Sequence, residues 1–160
     1  METAYLLLGT NLGDRAHHLT HARRLLDEIG TVSRVSQVYV TAAWGLTDQP
    51  DFFNQALEIS TALEPGDLLT KLRFIEKEVG RTDSVRWGPR ILDIDILFYG
   101  NKIISSELLT IPHPRMHERR FALVPMHALQ PDLIDPMSGK TITELLADCK
   151  DPLPVRLADL

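Results

Sequence analysis

The 160-residue sequence is short of several things, and each shortage excludes a class of protein. Its single cysteine, Cys149, allows no intramolecular disulfide framework and no cysteine-rich zinc site. No apolar run approaches the ~20 residues of a membrane span. The opening Met1-Glu2-Thr3 lacks a basic segment, and Leu6-Leu7-Leu8 is too short for the core of a secretion signal. These absences predict a cytoplasmic protein with no membrane partner. Positive charge is short as well. With 17 Lys and Arg against 22 Asp and Glu, the net charge of −5 argues against a general nucleic-acid binder. Repeats, low-complexity runs and Gly/Ser linkers are missing, so the length predicts one domain over residues 1–160, with a core of about 3–148 and a tail of 149–160. No obligate protein partner is evident.

The patterning that is present reads as a mixed α+β chain. Ala4–Leu8 is a short apolar run, and Gly9-Thr10-Asn11-Leu12-Gly13 follows as a turn. Asp14 opens a helix whose Leu19, Ala22, Leu26 and Ile29 recur at helical spacing. His17, His18 and His21 on that helix read as surface residues, because no third ligand accompanies them. Val32–Val40 is β-branched, and its alternation slips once, which suggests a bulge. Thr41–Asp51 reads as a long loop, and Phe52–Ala62 alternates as a strand. Pro65 suits the first turn of a second helix with Leu68, Leu72, Ile75 and Val79 on one stripe and Gly80 at its end. Arg81–Arg90 is a polar loop, and Ile91–Tyr99 a strand. The order β-α-β-β-α-β predicts a ferredoxin-like antiparallel sheet with both helices packed on one face and the other face left open. Short helices near Arg119–Leu129 and Ile142–Ala147 would form a C-terminal extension, followed by an extended tail at Asp151-Pro152-Leu153-Pro154.

Chemistry concentrates in Asp93-Ile94-Asp95-Ile96-Leu97-Phe98. On a strand, Asp93 and Asp95 share a face with Cα atoms about 6.6 Å apart, while Ile94, Ile96 and Phe98 would point to the helices. Two such carboxylates repel by roughly 2.5 kcal/mol at an effective dielectric near 20, so a central strand keeping the pair implies a compensating cation. Oxygen donors alone favour Mg²⁺ over zinc. Solvated acids on an edge strand are the alternative. Arg81, Arg86 and Arg90 lead into the pair, and the window Arg81–Arg120 holds seven basic residues against five acidic ones in an otherwise acidic chain. Paired acids beside clustered arginine are the composition of a phosphoryl-transfer site. No Walker loop is present, since Gly9–Asp14 lacks the Gly-Lys-Ser/Thr ending. His113 sits between Pro112 and Pro114 near Arg115 and Arg119, and Pro114 argues against a two-histidine site with His117.

Arg86-Trp87-Gly88-Pro89-Arg90-Ile91-Leu92-Asp93-Ile94-Asp95 resembles the signature of the 6-hydroxymethyl-7,8-dihydropterin pyrophosphokinases. Gly9–Gly13, Asp48–Asn54, Ile75-Glu76 with Gly80-Arg81, and Ile111–Pro114 with Arg119 and Phe121 agree in order and spacing. The resemblance covers residues 3–148. It implies the ferredoxin-like fold and transfer of pyrophosphate from ATP, the co-substrate, to the hydroxymethyl group of a dihydropterin, with release of AMP. It further implies that Asp93 and Asp95 hold two Mg²⁺ ions and that Arg81 and Arg90 assist transfer from a mobile loop containing Trp87 and Pro89. Glu76, His113 and Arg119 would contact the nucleotide. Phe52 and Phe121 would sandwich the pterin, Asn54 would hydrogen-bond it, and Thr41 and Ala42 would meet its edge through their backbones. The chain departs from the family pattern at Ala42-Ala43-Trp44, where proline is common, and at Asp83, where a second loop arginine is common. One reading from another class is a metal-dependent phosphodiesterase or nuclease using the same Asp pair, which needs a third or fourth acidic or histidine ligand and a longer basic track. Another is a module whose open sheet face binds RNA or a small regulator, where RNA binding calls for stacking aromatics and a high pI.

Overall fold

A computed structural model describes residues 1–42, 50–81 and 91–160, the side chain of Arg81 excepted. Its elements run β1 (Glu2–Thr10), α1 (Arg15–Leu26), β2 (Thr31–Val35), β3 (Tyr39–Thr41), β4 (Phe52–Thr61), α2 (Pro65–Arg81) and β5 (Asp93–Tyr99). A C-terminal extension adds the ribbon β6 (Ile104–Ser105) and β7 (Thr110–Ile111), then α3 (Arg120–Leu129), α4 (Ile142–Asp148) and β8 (Val155–Leu157). The main sheet has the order β5-β1-β4-β3-β8, with β2 also on β4, and all its pairings are antiparallel. Taking β2 and β3 as one interrupted strand, this is the ferredoxin-like arrangement.

The interruption has a local cause. Ser33 is left over between Val32 and Arg34 in the pairing with β4. Ser36 then takes over part of the ladder: its N–H donates to Ala56 O (2.8 Å), its Oγ accepts from Ala56 N (3.0 Å), and its carbonyl accepts from Gln55 Nε2 (2.7 Å). The slip in alternation expected within Val32–Val40 is the bulge at Ser33, and a break between β2 and β3 follows it.

Strand alternation sends Ala4, Leu6 and Leu8 to one face, where they join Leu57, Ile59, Ile94 and Ile96. The stripes of α1 and α2 close over them, with Leu26, Leu68, Leu72 and Val79 fully buried. The stripe of α1 is wider than expected. His18 lies four residues before Ala22 and is 1% exposed, so it belongs to the interior and not to the surface. Asp14 caps this helix by accepting from His17 N (3.1 Å). The helix α2 continues one residue past Gly80, to Arg81.

The opposite face is half covered. Tyr5, Leu7, Ala56, Leu97 and Phe98 pack there against Met116, Leu123 and Met126, and against Ile142 and Leu145 of α4. This corrects two expectations. The face is not left open, because α3 and α4 occupy part of it. Phe98 does not join Ile94 and Ile96: Leu6 pairs with Ile96 but Tyr5 with Phe98, so Leu97 is an extra residue that reverses the alternation. Phe98 thereby meets Tyr5 edge-on at 6.3 Å, and Tyr99 takes the helix-side position. A third correction concerns position in the sheet. Among the described residues, the strand carrying Asp93 and Asp95 is at the edge of the sheet, paired only with β1, and is not central.

Candidate active site

The register of three strands builds the site. Gly9 pairs with Asp93 on one side and with Asn54 on the other, and Leu7 pairs with Asp95 and Ala56. Residues in one cross-strand row share a face, so both aspartates, Gly9 and Asn54 look out from the sheet on the side that α3 covers only in part. At 4.7–4.9 Å per strand, Asp93 and Asn54 are about 9.6 Å apart along that row. The space above is a cavity of about 490 Å³ with Leu7 and Gly9 in its floor.

One end of the cavity suits a flat heterocycle. Phe52, Asn54, Thr41 and Ala42 line it from β4 and β3, and Phe121 lines it from the first turn of α3. Asn54 is 3% exposed, and its Nδ2 donates to Thr41 Oγ1 (3.0 Å), which fixes the plane of the amide. Gly9 provides clearance: a Cβ there would stand 3.1 Å from Asn54 Oδ1. Phe52 is thus on the outward face with Asn54, while Phe53 faces the helices beneath the guanidinium of Arg15, 4.0 Å from its ring centroid.

The other end is polar. Asp93 and Asp95 line it together with Arg119, and with Arg115 and Glu118, two residues sequence reasoning did not assign. Arg119 sits at the N-cap of α3 with its Cζ 5.6 Å from the Phe121 ring centroid, so one turn of chain serves both ends. Arg115 Nε and Glu118 Oε2 are 3.6 Å apart on the surface. The clue to this pair was their i, i+3 spacing directly before Arg119. Half-buried His113 stands within electrostatic reach of Asp95. Its backbone N–H donates to Leu97 O (3.0 Å), and its Nδ1 accepts from Arg115 N (3.2 Å), so the neutral ring carries its proton on Nε2. Burial lowers its pKa, Arg119 and Arg115 push the same way, and Asp95 opposes them.

Glu76 is placed differently. It projects from α2, does not line the cavity, and accepts from Ile94 N and from Arg73 Nη1, each at 2.7 Å. Burial raises its carboxyl pKa, and the Ile94 N–H and Arg73 draw it back. Arg86, Trp87, Pro89 and Arg90 lie outside the described residues, as do Trp44 and Asp83, and the Arg81 side chain is not described.

Asp93 and Asp95 offer only hard oxygen donors opening onto a cavity. No group of three or more His, Cys, Asp or Glu suited to a metal is present among the described residues. Such a donor set fits Mg²⁺, which keeps waters and phosphate oxygens in its shell, and does not fit a closed zinc site. Among the described residues, no helix is long and apolar enough to cross a membrane.

The 7,8-dihydro-6-hydroxymethylpterin-pyrophosphokinase (HPPK) family profile matches residues 5–131. The 2-amino-4-hydroxy-6-hydroxymethyldihydropteridine pyrophosphokinase of Aquifex aeolicus is 41% identical over 144 residues, which cover 90% of each chain. Its namesake in Bacillus subtilis is 48% identical over 125 residues, 77% of this chain and 75% of the relative. A Plasmodium falciparum HPPK-DHPS crystal structure superposes with a TM-score of 0.73 at 17% identity, over 91% of this chain and 43% of that one. This chain spans less than half of that longer protein, and the likeness bears on the fold alone. The profile match and the bacterial relatives make the chain a member of the HPPK family, the pyrophosphokinases of folate biosynthesis.

Proposed function

We propose that this pyrophosphokinase transfers the β- and γ-phosphates of ATP, as one pyrophosphate group, to the hydroxymethyl oxygen of 6-hydroxymethyl-7,8-dihydropterin. The transfer would take place in the cavity beside β5, with Asp93 and Asp95 holding two Mg²⁺ ions. The observation that carries this reading is the row Asp93–Gly9–Asn54. It sets the backbones of Asn54 and Asp93 about 9.6 Å apart on one face of the sheet, a spacing that leaves room between them for a bicyclic pterin and its substituent. Phe52 and Phe121 clamp the ring between them, Asn54 fixes its orientation, and Thr41 and Ala42 meet its edge through their backbones. Arg119 and His113 serve the triphosphate end.

Within that frame the hydroxymethyl oxygen attacks the β-phosphorus in line, the bond to the oxygen bridging the α- and β-phosphates breaks, and AMP leaves. Bound magnesium would neutralise the phosphate oxygens and make the phosphorus more electrophilic. The protein contributes positioning and fixed charge. The aromatic clamp holds the alcohol near its target, and Arg119 faces the negative charge of the phosphates. The resemblance alone assigns Arg81, Arg90 and Trp87 to a closing lid.

The test is to incubate the protein with ATP, MgCl₂ and the pterin alcohol and to measure AMP. Asp95→Ala is expected to lower AMP formation at least ~10²-fold while leaving the fold intact. AMP formation at the unaltered rate in Asp95→Ala, or ADP as the product, would contradict the proposal.

A further inference from the structure

We propose that Arg73 and Glu76 are positioning residues for the Asp93–Asp95 pair, acting together as a substitute for the strand that, among the described residues, β5 lacks on its outer side. The inference rests on the reading that this pair holds metal. In an antiparallel ladder, successive residues turn their backbone groups to opposite sides. Asp93 and Asp95 pair with Gly9 and Leu7 of β1, and the N–H and C=O of Ile94 between them point to the edge. A strand edge normally leaves such groups to water. Here Glu76 Oε2 accepts from Ile94 N (2.7 Å), and Arg73 Nη1 donates to Ile94 O (3.0 Å). Arg73 Nη1 also donates to Glu76 Oε2 (2.7 Å), so the two side chains and the one residue close a ring. One acceptor and one donor, spaced to match a single residue's backbone, are what a paired strand would present.

Holding α2 on the sheet does not require this arrangement. Leu68, Leu72, Ile75 and Val79 already do that from the core. The Glu76 side chain is only 9% exposed, and a buried carboxylate is costly unless several partners satisfy it. Apolar residues at both positions would serve packing as well or better. What they could not do is fix the two peptides that join Ile94 to Asp93 and to Asp95, and these set the relative direction of the two carboxylates. Magnesium demands near-ideal octahedral geometry, so a small swing of either peptide misaligns one ligand against the other. Glu76 therefore serves the nucleotide indirectly, through the metal pair, and not by the contact that the family resemblance implies.

The test compares the full chain with Glu76→Ala, Glu76→Gln and Asp95→Ala. It follows hydrogen exchange at the Ile94 amide without metal or nucleotide, and Mn²⁺ affinity by electron paramagnetic resonance with an ATP analogue bearing a methylene between its α- and β-phosphates. In Glu76→Ala, Ile94 is expected to exchange at least ~10-fold faster. Mn²⁺ affinity is expected to fall ~10–100-fold, as removal of an outer partner of a metal ligand typically does. The ATP KM at saturating metal should stay within ~2-fold. Glu76→Gln, whose amide oxygen still accepts the Ile94 N–H, should restore most of the protection and of the affinity. Should Glu76→Ala fail to fold, Arg73→Ala, which takes the donor from Ile94 O, carries the test with the same fall in Mn²⁺ affinity expected. Unaltered Mn²⁺ affinity in Glu76→Ala, or a raised ATP KM without loss of metal, would overturn the inference. If Asp95→Ala itself leaves Mn²⁺ affinity unchanged, the metal reading of the pair fails. If it weakens Mn²⁺ and Glu76→Ala does not, only the positioning role fails.

Discussion

An alanine at Gly9 would bring its Cβ to 3.1 Å from Asn54 Oδ1, and Asn54 cannot retreat freely because Thr41 holds its amide and the residue is buried. The displacement falls on the hydrogen-bonding end of the cavity and not on Asp93, which pairs with Gly9 from the other side. Gly9→Ala is therefore expected to raise the pterin KM by ~10-fold with kcat changed far less, a loss of ground-state binding. Steady-state kinetics with the pterin varied reads this directly. His113 makes a different kind of statement. Burial, helped by Arg119 and Arg115 and opposed by Asp95, holds its pKa below the ordinary value. The unfolded chain then takes up a proton at a higher pH than the folded one. The stability that His113 contributes is complete above pH ~6.5 and is lost as pH falls toward the folded value. Thermal midpoints of the metal-free protein between pH 8 and pH 5 should fall less steeply in His113→Gln than in the parent. Parallel slopes would refute the assignment.

At the scale of elements, the bulge in β5 decides which residues support the site. Leu97 reverses the alternation, so Phe98 packs with Tyr5 beneath α3, the helix that carries Phe121 and follows Arg119. Phe98→Ala is expected to cost ~3–5 kcal/mol of stability. It should also raise the KM for both substrates, since α3 loses part of its seat. Denaturant unfolding and kinetics on the same preparation check both effects. If Phe98 faced α1 and α2, as simple alternation implies, stability would fall with the site unaffected. That case marks the limit of what was legible in the sequence. The order of strands and helices followed from local periodicity, and the alternation of β4 correctly separated Phe52 and Asn54 from Phe53 and Leu57. A bulge adds one residue without altering composition, so nothing local announces it. Edge position is likewise a property of the whole sheet: Ile94 and Ile96 read as the interior of a central strand, although among the described residues β5 has a neighbour on one side alone. The buried His18 was missed because a polar residue was weighed by type, while its spacing from Ala22 and Leu26 already placed it on the inner stripe. The acid pair itself was legible, since two residues apart on a strand is a statement about direction. The role of Glu76 was not, because its partner is a backbone group that only tertiary packing brings near.

Over the whole molecule, the two faces of one sheet divide the work. The face under α1 and α2 is a continuous apolar core, and the other is half core and half cavity. The C-terminal extension creates this asymmetry: α3 and α4 cover the lower part of the outer face, and β8 pairs with β3 next to Thr41. Several anchors converge on the chain entering β4. Arg15 Nη1 donates to Asp51 O (2.6 Å), and Arg156 Nη2 lies 3.5 Å from Asp51 Oδ2. Cavity-lining residues of β3 and β4 are thus tied both to the first helix and to the tail. Charge is divided in the same spirit, with an acidic chain setting Arg115 and Arg119 beside one acid pair, an arrangement that suits a compact anion site. The measurement that bears most directly on the account is anomalous scattering from crystals grown with Mn²⁺ and the α,β-methylene analogue of ATP. Manganese peaks are expected within coordination distance of carboxylate oxygens of both Asp93 and Asp95, on the cavity side of β5. Peaks bound elsewhere on the chain, with those two side chains turned away from the phosphates, would contradict it.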